Sequence, residues 1–239
     1  MYIPKELIIL DLETTGSQPV KDEIIEIGAV KTINGEIVDI FSQLIQPRSE
    51  IPEYIAMLTG IQNDMVADCP YIEEVLPRFL DFCKDNVIVG HNVALFDYRM
   101  LKVKANKQGY AFEKQAIDTL IIARRFLTHL PSRRLGDLCE YYNIDLTNAH
   151  RAFHDAKATH ELLRHLIKDY YNEAPEAFLP RKMAWKVPKQ SLITARQKGF
   201  LRYLLTANNI SLKEDINKLS KSEASRKIDT IIREHGREY

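Results

Sequence analysis

Residues 7–17 read LIILDLETTGS, an apolar run that meets two acids, Asp11 and Glu13, one residue apart. Strand side chains alternate between faces, so positions i and i+2 share one. Two carboxylates held that close repel strongly when both ionise. The spacing therefore asks for a positive charge nearby. Two further clusters stand out: Gly90-His91-Asn92-Val93-Ala94-Leu95-Phe96-Asp97, and the stretch from His150 to Asp155. Each acid lies in or beside an apolar stretch, where an unpaired charge is costly.

Taken singly, each has a structural explanation. Asp11 suits a turn before Thr14-Thr15-Gly16, Asp97 suits a cap on the helix that begins at Tyr98, and Asp155 suits a helix N-terminus through the dipole. His150 suits an ordinary loop. Taken together, four carboxylates on one strand end and two helix starts can converge on one pocket. Hard oxygen donors with no cysteine among them favour Mg²⁺ or Mn²⁺ over Zn²⁺. Two such ions, about 4 Å apart, form the clamp used on phosphodiesters. A histidine beside them can take the proton of an attacking water, because its pKa lies near neutrality.

The elements that must position these groups alternate in type. LIILDL reads as a buried strand, EIIEIGAVKTI as a second, with Ile25, Ile27 and Ala29 on one face, and EIVDIFSQLIQP as a third returning through an Asn34-Gly35 turn. Helical stretches follow around 52–58 and 71–84. NVIVGHN then reads as another buried strand, and DYRMLKVKANKQG as a helix stopping near Gly109. In HDAKATHELLRHLIKDYYN, residues Ala156, Thr159, Leu162, Leu163, Leu166 and Tyr170 fall at helical spacing. Residues 173–190 hold three prolines and the lone Trp185, and read as a linker or extended arm. Beyond them, Thr194 with Gln197 and Ser220 with Glu223 have the capping-box form, and Gly236 should end the second helix. Phe200, Leu201, Leu204 and Leu205 are placed to meet Ile228, Ile231 and Ile232.

Composition is that of a globular protein, 45% apolar and 28% charged over 239 residues. There is no apolar run of membrane-spanning length and no signal-peptide pattern at the N-terminus, so a membrane location is not expected. Cys69, Cys83 and Cys139 form no C-x-x-C pair and are expected as free thiols in a cytoplasmic protein. The zero net charge hides an asymmetry. Residues 1–185 carry 21 Lys/Arg against 27 Asp/Glu, whereas residues 186–239 carry 12 against 6. A basic module suits an anionic partner such as nucleic acid, or is simply a solvated helical face.

Over roughly residues 5–170 the three clusters, in this order and including D-x-E-T-T-G, resemble the DEDDh, or DnaQ-like, 3′–5′ exonucleases. That family includes the proofreading epsilon subunit of bacterial DNA polymerase III, ribonuclease T and oligoribonuclease. The resemblance implies an α/β, ribonuclease-H-like fold, a mixed five-stranded sheet flanked by helices. It implies an exonuclease domain over 1–172; it weakens over the proline-containing linker, 173–190, and the small basic helical module, 191–239, which rest on the composition and capping patterns above. It matches Asp11, Glu13, Asp97 and Asp155 to the family's ligands for two divalent ions, Mg²⁺ or Mn²⁺, and His150 to its general base. Thr14, Thr15 and Gly16 match the stretch whose backbone approaches the terminal nucleotide, and Leu58 begins the segment that flanks the terminal base. His91, Asn92 and Phe96 match positions at the substrate. Three residues separate Asn92 from Phe96 where proofreading subunits usually have two, which displaces His91 and Asn92 or is absorbed as a bulge. The implied substrate is single-stranded nucleic acid, DNA ahead of RNA because small RNA-trimming relatives often lack such a basic extension. The implied partner is a DNA polymerase or another replication protein. A non-catalytic module on the same fold is the competing reading, and the five filled reactive positions weigh against it.

Overall fold

The computed structural model describes residues 3–146, 149–188, 191–212 and 214–236; positions 189–190 of the expected linker and 237–239 of the basic module lie outside them. The chain divides into two compact units, Met1–Val187 and Pro188–Tyr239.

In the first unit, strands β1 (Glu6–Thr14), β2 (Ile24–Ile33) and β3 (Glu36–Leu44) form an antiparallel meander. Helices α1 (Glu53–Thr59), α2 (Asn63–Val66) and α3 (Ile72–Cys83) follow. Strand β4 (Val87–Gly90) then lies parallel to β1, α4 (Asp97–Lys107) leads to β5 (Gln115–Asp118), parallel to β4, and α5 (Thr119–Phe126), α6 (Leu135–Tyr142) and α7 (Ala152–Tyr170) complete the body. The sheet is mixed, as expected, but it has six strands rather than five, in the order β3-β2-β1-β4-β5-β6. The sixth, β6 (Arg181–Lys182), comes from the stretch read as a linker and pairs antiparallel with β5. Two charged residues carry no strand pattern, so nothing local announces it. Phe178, fully buried in a short 3-10 turn over Pro175–Phe178, anchors the chain just before β6, and Met183 and Trp185 pack on the core beyond it.

Two hydrophobic layers sandwich the sheet. One face of β1, with Ile8, Leu10 and Leu12, joins α3 and α4; the other, with Leu7 and Ile9, joins α5 and α7. Helix α7 buries Leu162, Leu163 and Leu166 there, on the stripe its periodicity predicts. Strand β2 is buried on both faces from Ile24 to Val30, because α7 covers the side opposite Ile27 and Ala29. Continuing along β1, the α7 face carries Asp11 and Glu13. The layer that begins apolar thus turns acidic at the end of the strand.

In the second unit, α8 (Ala195–Ala207) and α9 (Lys221–His235) are each closed by the expected capping box, and Gly236 caps α9 at φ 78°. Leu201 and Leu204 pack with Leu219, Ile228 and Ile231, and Leu205 and Ile232 flank them. Phe200 departs from expectation: it is 39% exposed. Leu201 and Leu204 face α9, and at 100° per residue this turns Phe200 to the outward flank.

Candidate active site

The register places Asp11 opposite Gly28 and Glu13 opposite Glu26. Cross-strand partners share a face, so all four positions look toward α7. Gly28 has no side chain, and the start of α7 sits where one would be: a Cβ there would approach the Ala152 carbonyl carbon and the Phe153 nitrogen more closely than 3.0 Å. Buried Glu26 fastens the same helix end. It accepts hydrogen bonds from Arg151 Nη2 at 3.0 Å, Arg151 Nε at 3.2 Å and the Ala152 backbone N–H at 3.0 Å. Those are orphan and charged donors of a helix start satisfied by one carboxylate. The clamp delivers Asp155, in the first turn of α7, to the acids of β1. Carboxylate oxygens of Asp11, Glu13 and Asp155 all lie within 4.8 Å of one another.

Asp97 arrives from the other side of the sheet, as the first residue of α4. It is 2% exposed, and its Oδ1 has no hydrogen-bond partner among the described residues. It lies outside the trio, yet it is the neighbouring charge that acts most strongly on Asp11. Burial, then Asp97 and Asp155, push Asp11 well above the usual carboxylate range. Burial, then Asp155 and Glu26, push Glu13 up to about 8. Burial raises Asp97 to about 7, against the backbone hydrogen bonds it accepts, and burial raises Asp155, against the pull of His150. At each of these groups burial disfavours the charged form, and at Asp11 and Glu13 the neighbouring carboxylates add to it. An all-oxygen donor set, mutually repelling and with a buried oxygen unpaired, fits hard divalent cations.

His150 stands exposed at φ 63°, immediately before Arg151 and α7. It borders the same cleft as Asp11, Glu13 and Asp155, a cavity of about 890 Å³ whose wall also carries Arg124, Arg133 and Arg134. Leu58, 53% exposed, His91 and Asn92 also line it. Both ring nitrogens of His91 are engaged: Nε2 donates to the Arg133 carbonyl at 2.8 Å, and Nδ1 faces the Thr119 hydroxyl at 2.9 Å. Burial lowers its pKa, and its two hydrogen bonds tie the end of β4 to the Arg133 backbone and to Thr119. Thr14, Thr15 and Gly16 are folded into their own turn, where the Thr14 hydroxyl donates to the Gly16 carbonyl and Thr15 Oγ1 accepts from the Glu23 N–H. Phe96 packs against the core on the α4 side. The extra residue after Asn92 is absorbed as a turn, not a strand bulge. Asn92 takes φ 75°, its carbonyl accepts from Leu95 and Phe96, and Asp118 accepts from the Asn92 and Ala94 N–H groups.

Sequence reasoning missed Glu26, Gly28, Arg151, Asp118 and the arginine wall. A buried acid inside the apolar run EIIEIGAV was the one available signal for Glu26. Its partner lies 125 positions away.

Acids gathered where an inner strand and two helix starts meet, on a mixed sheet with helices on both sides, define a nuclease of the DnaQ-like class on a ribonuclease-H-like fold. Comparison with known proteins agrees. Residues 8–163 match the family model for the RNase T exonucleases. The chain belongs to this exonuclease family, and its enzyme class is 3′–5′ exonuclease. It is 45% identical over 163 residues to the PolC-type DNA polymerase III of Caldanaerobacter subterraneus subsp. tengcongensis, covering 68% of this chain and 12% of that protein. It is 39% identical over 165 residues to the PolC-type polymerase of Bacillus subtilis, covering 68% and 11%. The match is therefore to a small part of those relatives. Among solved structures, exonuclease X in complex with 5′-overhanging duplex DNA aligns with a TM-score of 0.56 at 25% identity, over 72% of this chain and 97% of that one. Escherichia coli exonuclease I with a dT13 oligonucleotide aligns with a TM-score of 0.66 at 19% identity, over 72% and 43%, a likeness of fold. Among the described residues, no helix is long and apolar enough to cross a membrane.

Proposed function

We propose that this chain removes nucleotides from the 3′ end of single-stranded DNA as nucleoside 5′-monophosphates, using two divalent ions, Mg²⁺ or Mn²⁺. The observation that carries the reading is the carboxylate trio of Asp11, Glu13 and Asp155, in one cleft whose wall also carries three arginines. With Asp97 beside it, the trio would hold the ions, which supply positive charge for the transferring phosphoryl group and lower the pKa of the attacking water.

The chain's own groups account for the rest. Water adds to phosphorus, the bond from phosphorus to the 3′ oxygen breaks, that oxygen takes a proton from solvent to become the new 3′ hydroxyl, and the phosphate leaves with the released nucleotide. His150, on the exposed lip of the cleft, accepts the water's proton. Arg124, Arg133 and Arg134 hold the anionic backbone in the cleft they share with the acids. Leu58 offers an apolar surface to the terminal base, contact that is indifferent to sequence. The backbone at Thr14-Thr15-Gly16 borders the terminal nucleotide, and His91 and Asn92 shape the wall it meets. The polymerase identity of the relatives supports a DNA polymerase or another replication protein as partner, and with it a cytoplasmic setting.

The test uses matched DNA and RNA oligonucleotides labelled at either end, with Mg²⁺, Mn²⁺ or EDTA. Stepwise loss of 5′-monophosphates from the 3′ end of DNA, absent in EDTA and in Asp155→Asn, is the expected result. Faster trimming of RNA would overturn the substrate assignment, and full turnover by Asp155→Asn would overturn the site.

A further inference from the structure

The outward face of α8 has no role in the cleft chemistry and an unusual make-up. Its sequence, ARQKGFLRYLLTA, holds three cations and no acid. Phe200 and Tyr203, three residues apart, share a face at helical spacing and are 39% and 49% exposed. Arg196 stands one turn before Phe200 on that face, and Arg202 flanks it. Lys198 reaches Asn217 and Lys227 pairs with Glu214, whereas neither Arg196 nor Arg202 has an ion-pair partner among the described residues. Between the arginine and the rings lies Gly199, where an added Cβ would meet nothing within 4 Å. A mid-helix glycine costs about 1 kcal/mol relative to alanine, and here it leaves backbone bare on the exposed face of the helix.

A partner helix or apolar peptide would be met by an aliphatic stripe. This surface instead alternates flat rings with guanidinium groups around a bare patch of backbone. That combination matches bases and phosphates. We propose that the α8 face is a second nucleic-acid site, on which Phe200 and Tyr203 stack bases of a single strand while Arg196 and Arg202 contact its phosphates. The proposal rests on the single-stranded substrate argued above and extends it. A strand held on α8 stays at high local concentration for the cleft carried on the same polypeptide.

The test measures anisotropy of a labelled oligothymidylate of about 20 nucleotides with the full-length protein in EDTA, so that nothing is hydrolysed. Stacking predicts a loss of affinity of about tenfold for each ring removed in Phe200→Ala and Tyr203→Ala. Phe200→Leu should fall with Phe200→Ala, and Phe200→Trp should bind like the wild type. Removing two phosphate contacts in Arg196→Gln/Arg202→Gln should flatten the log–log salt dependence by about 1.4. Every variant should still turn over a nitrophenyl ester of thymidine monophosphate in Mg²⁺, a probe sized for the cleft alone. Wild-type affinity in Phe200→Ala overturns the proposal, and so does full affinity in Phe200→Leu, which would mark an apolar protein-docking face. If instead the wild type fails to hydrolyse labelled oligonucleotides while binding still depends on the rings, the exonuclease substrate assignment fails and the α8 site stands.

Discussion

Replacing Gly28 by alanine adds one methyl group to a residue with no charge and no place among the acids, and it should disable the enzyme. The new Cβ would lie under 3.0 Å from three backbone atoms of Ala152 and Phe153, and backbone cannot rotate away as a side-chain tip can. Restoring ordinary contact, 3.4 Å or more, moves the start of α7 away from β2 by about 1 Å. That shift acts on the clamp as well as on the site. The Glu26 bond to the Ala152 N–H, now 3.0 Å, stretches beyond hydrogen-bond length, and Asp155 withdraws from Asp11 and Glu13. Overpacking of this kind costs about 1–3 kcal/mol of stability. A misplacement of about 1 Å at a catalytic group costs on the order of 100-fold in rate. Single-turnover hydrolysis of a labelled oligonucleotide at saturating Gly28→Ala enzyme should therefore slow by about that factor, with a modest fall in the thermal midpoint. Wild-type rate in a folded Gly28→Ala variant would refute the claim that close approach of α7 to β2 sets the acid geometry.

Arg151→Met should test the clamp from its other side. It removes the guanidinium from buried Glu26 and leaves the carboxylate its bond from the Ala152 N–H. Losing one partner of a buried pair costs about 3–5 kcal/mol; the half-exposed arginine puts the expected loss at the low end, read by urea unfolding. The pH dependence of the metal-free protein should also be inverted relative to a typical acid-paired fold. Glu13 at about 8 and Asp97 at about 7 are raised above their unfolded values near 4.5 and 3.8. Between those limits the folded state binds more protons than the unfolded, so stability falls as pH rises from about 4 to about 8. Thermal midpoints in EDTA should fall across that window, and Mg²⁺ should reduce the fall because ions replace the protons. A midpoint in EDTA that rises steadily to pH 8 would contradict the raised carboxyls.

How much of this was legible beforehand divides along a physical line. Asp11 and Glu13 announced themselves because a strand has period two, and acids at that spacing after Leu7 and Ile9 lie on a face whose earlier positions are core. Helix α7 was legible because its apolar stripe is local, and the capping boxes of α8 and α9 because each closes within four residues. Glu26, Gly28 and Arg151 were not, because their meaning lies in where α7 crosses β2, and no local pattern encodes a crossing. Strand β6 borrows its strand character from the edge of β5. Phe200 reads as core by type and is turned outward by its angle on the helix, which only the positions of Leu201 and Leu204 against α9 determine. Asp97 is the sharpest case. A carboxylate at the first position of a helix is the ordinary mark of a cap, and from sequence the two readings are equal in form. In the structure no side-chain cap bond is made from the N-cap position of α4, and Asp97 keeps a buried oxygen without a partner among the described residues. Backbone hydrogen bonds to the carboxylate do the work of a cap, yet they leave Oδ1 buried in a nearly dry pocket beside Asp11, where an unpaired acceptor is costly. A cap does not call for that second oxygen, whereas the proposed two-ion site does, and a cation there would also offset the repulsion among the carboxylates around it.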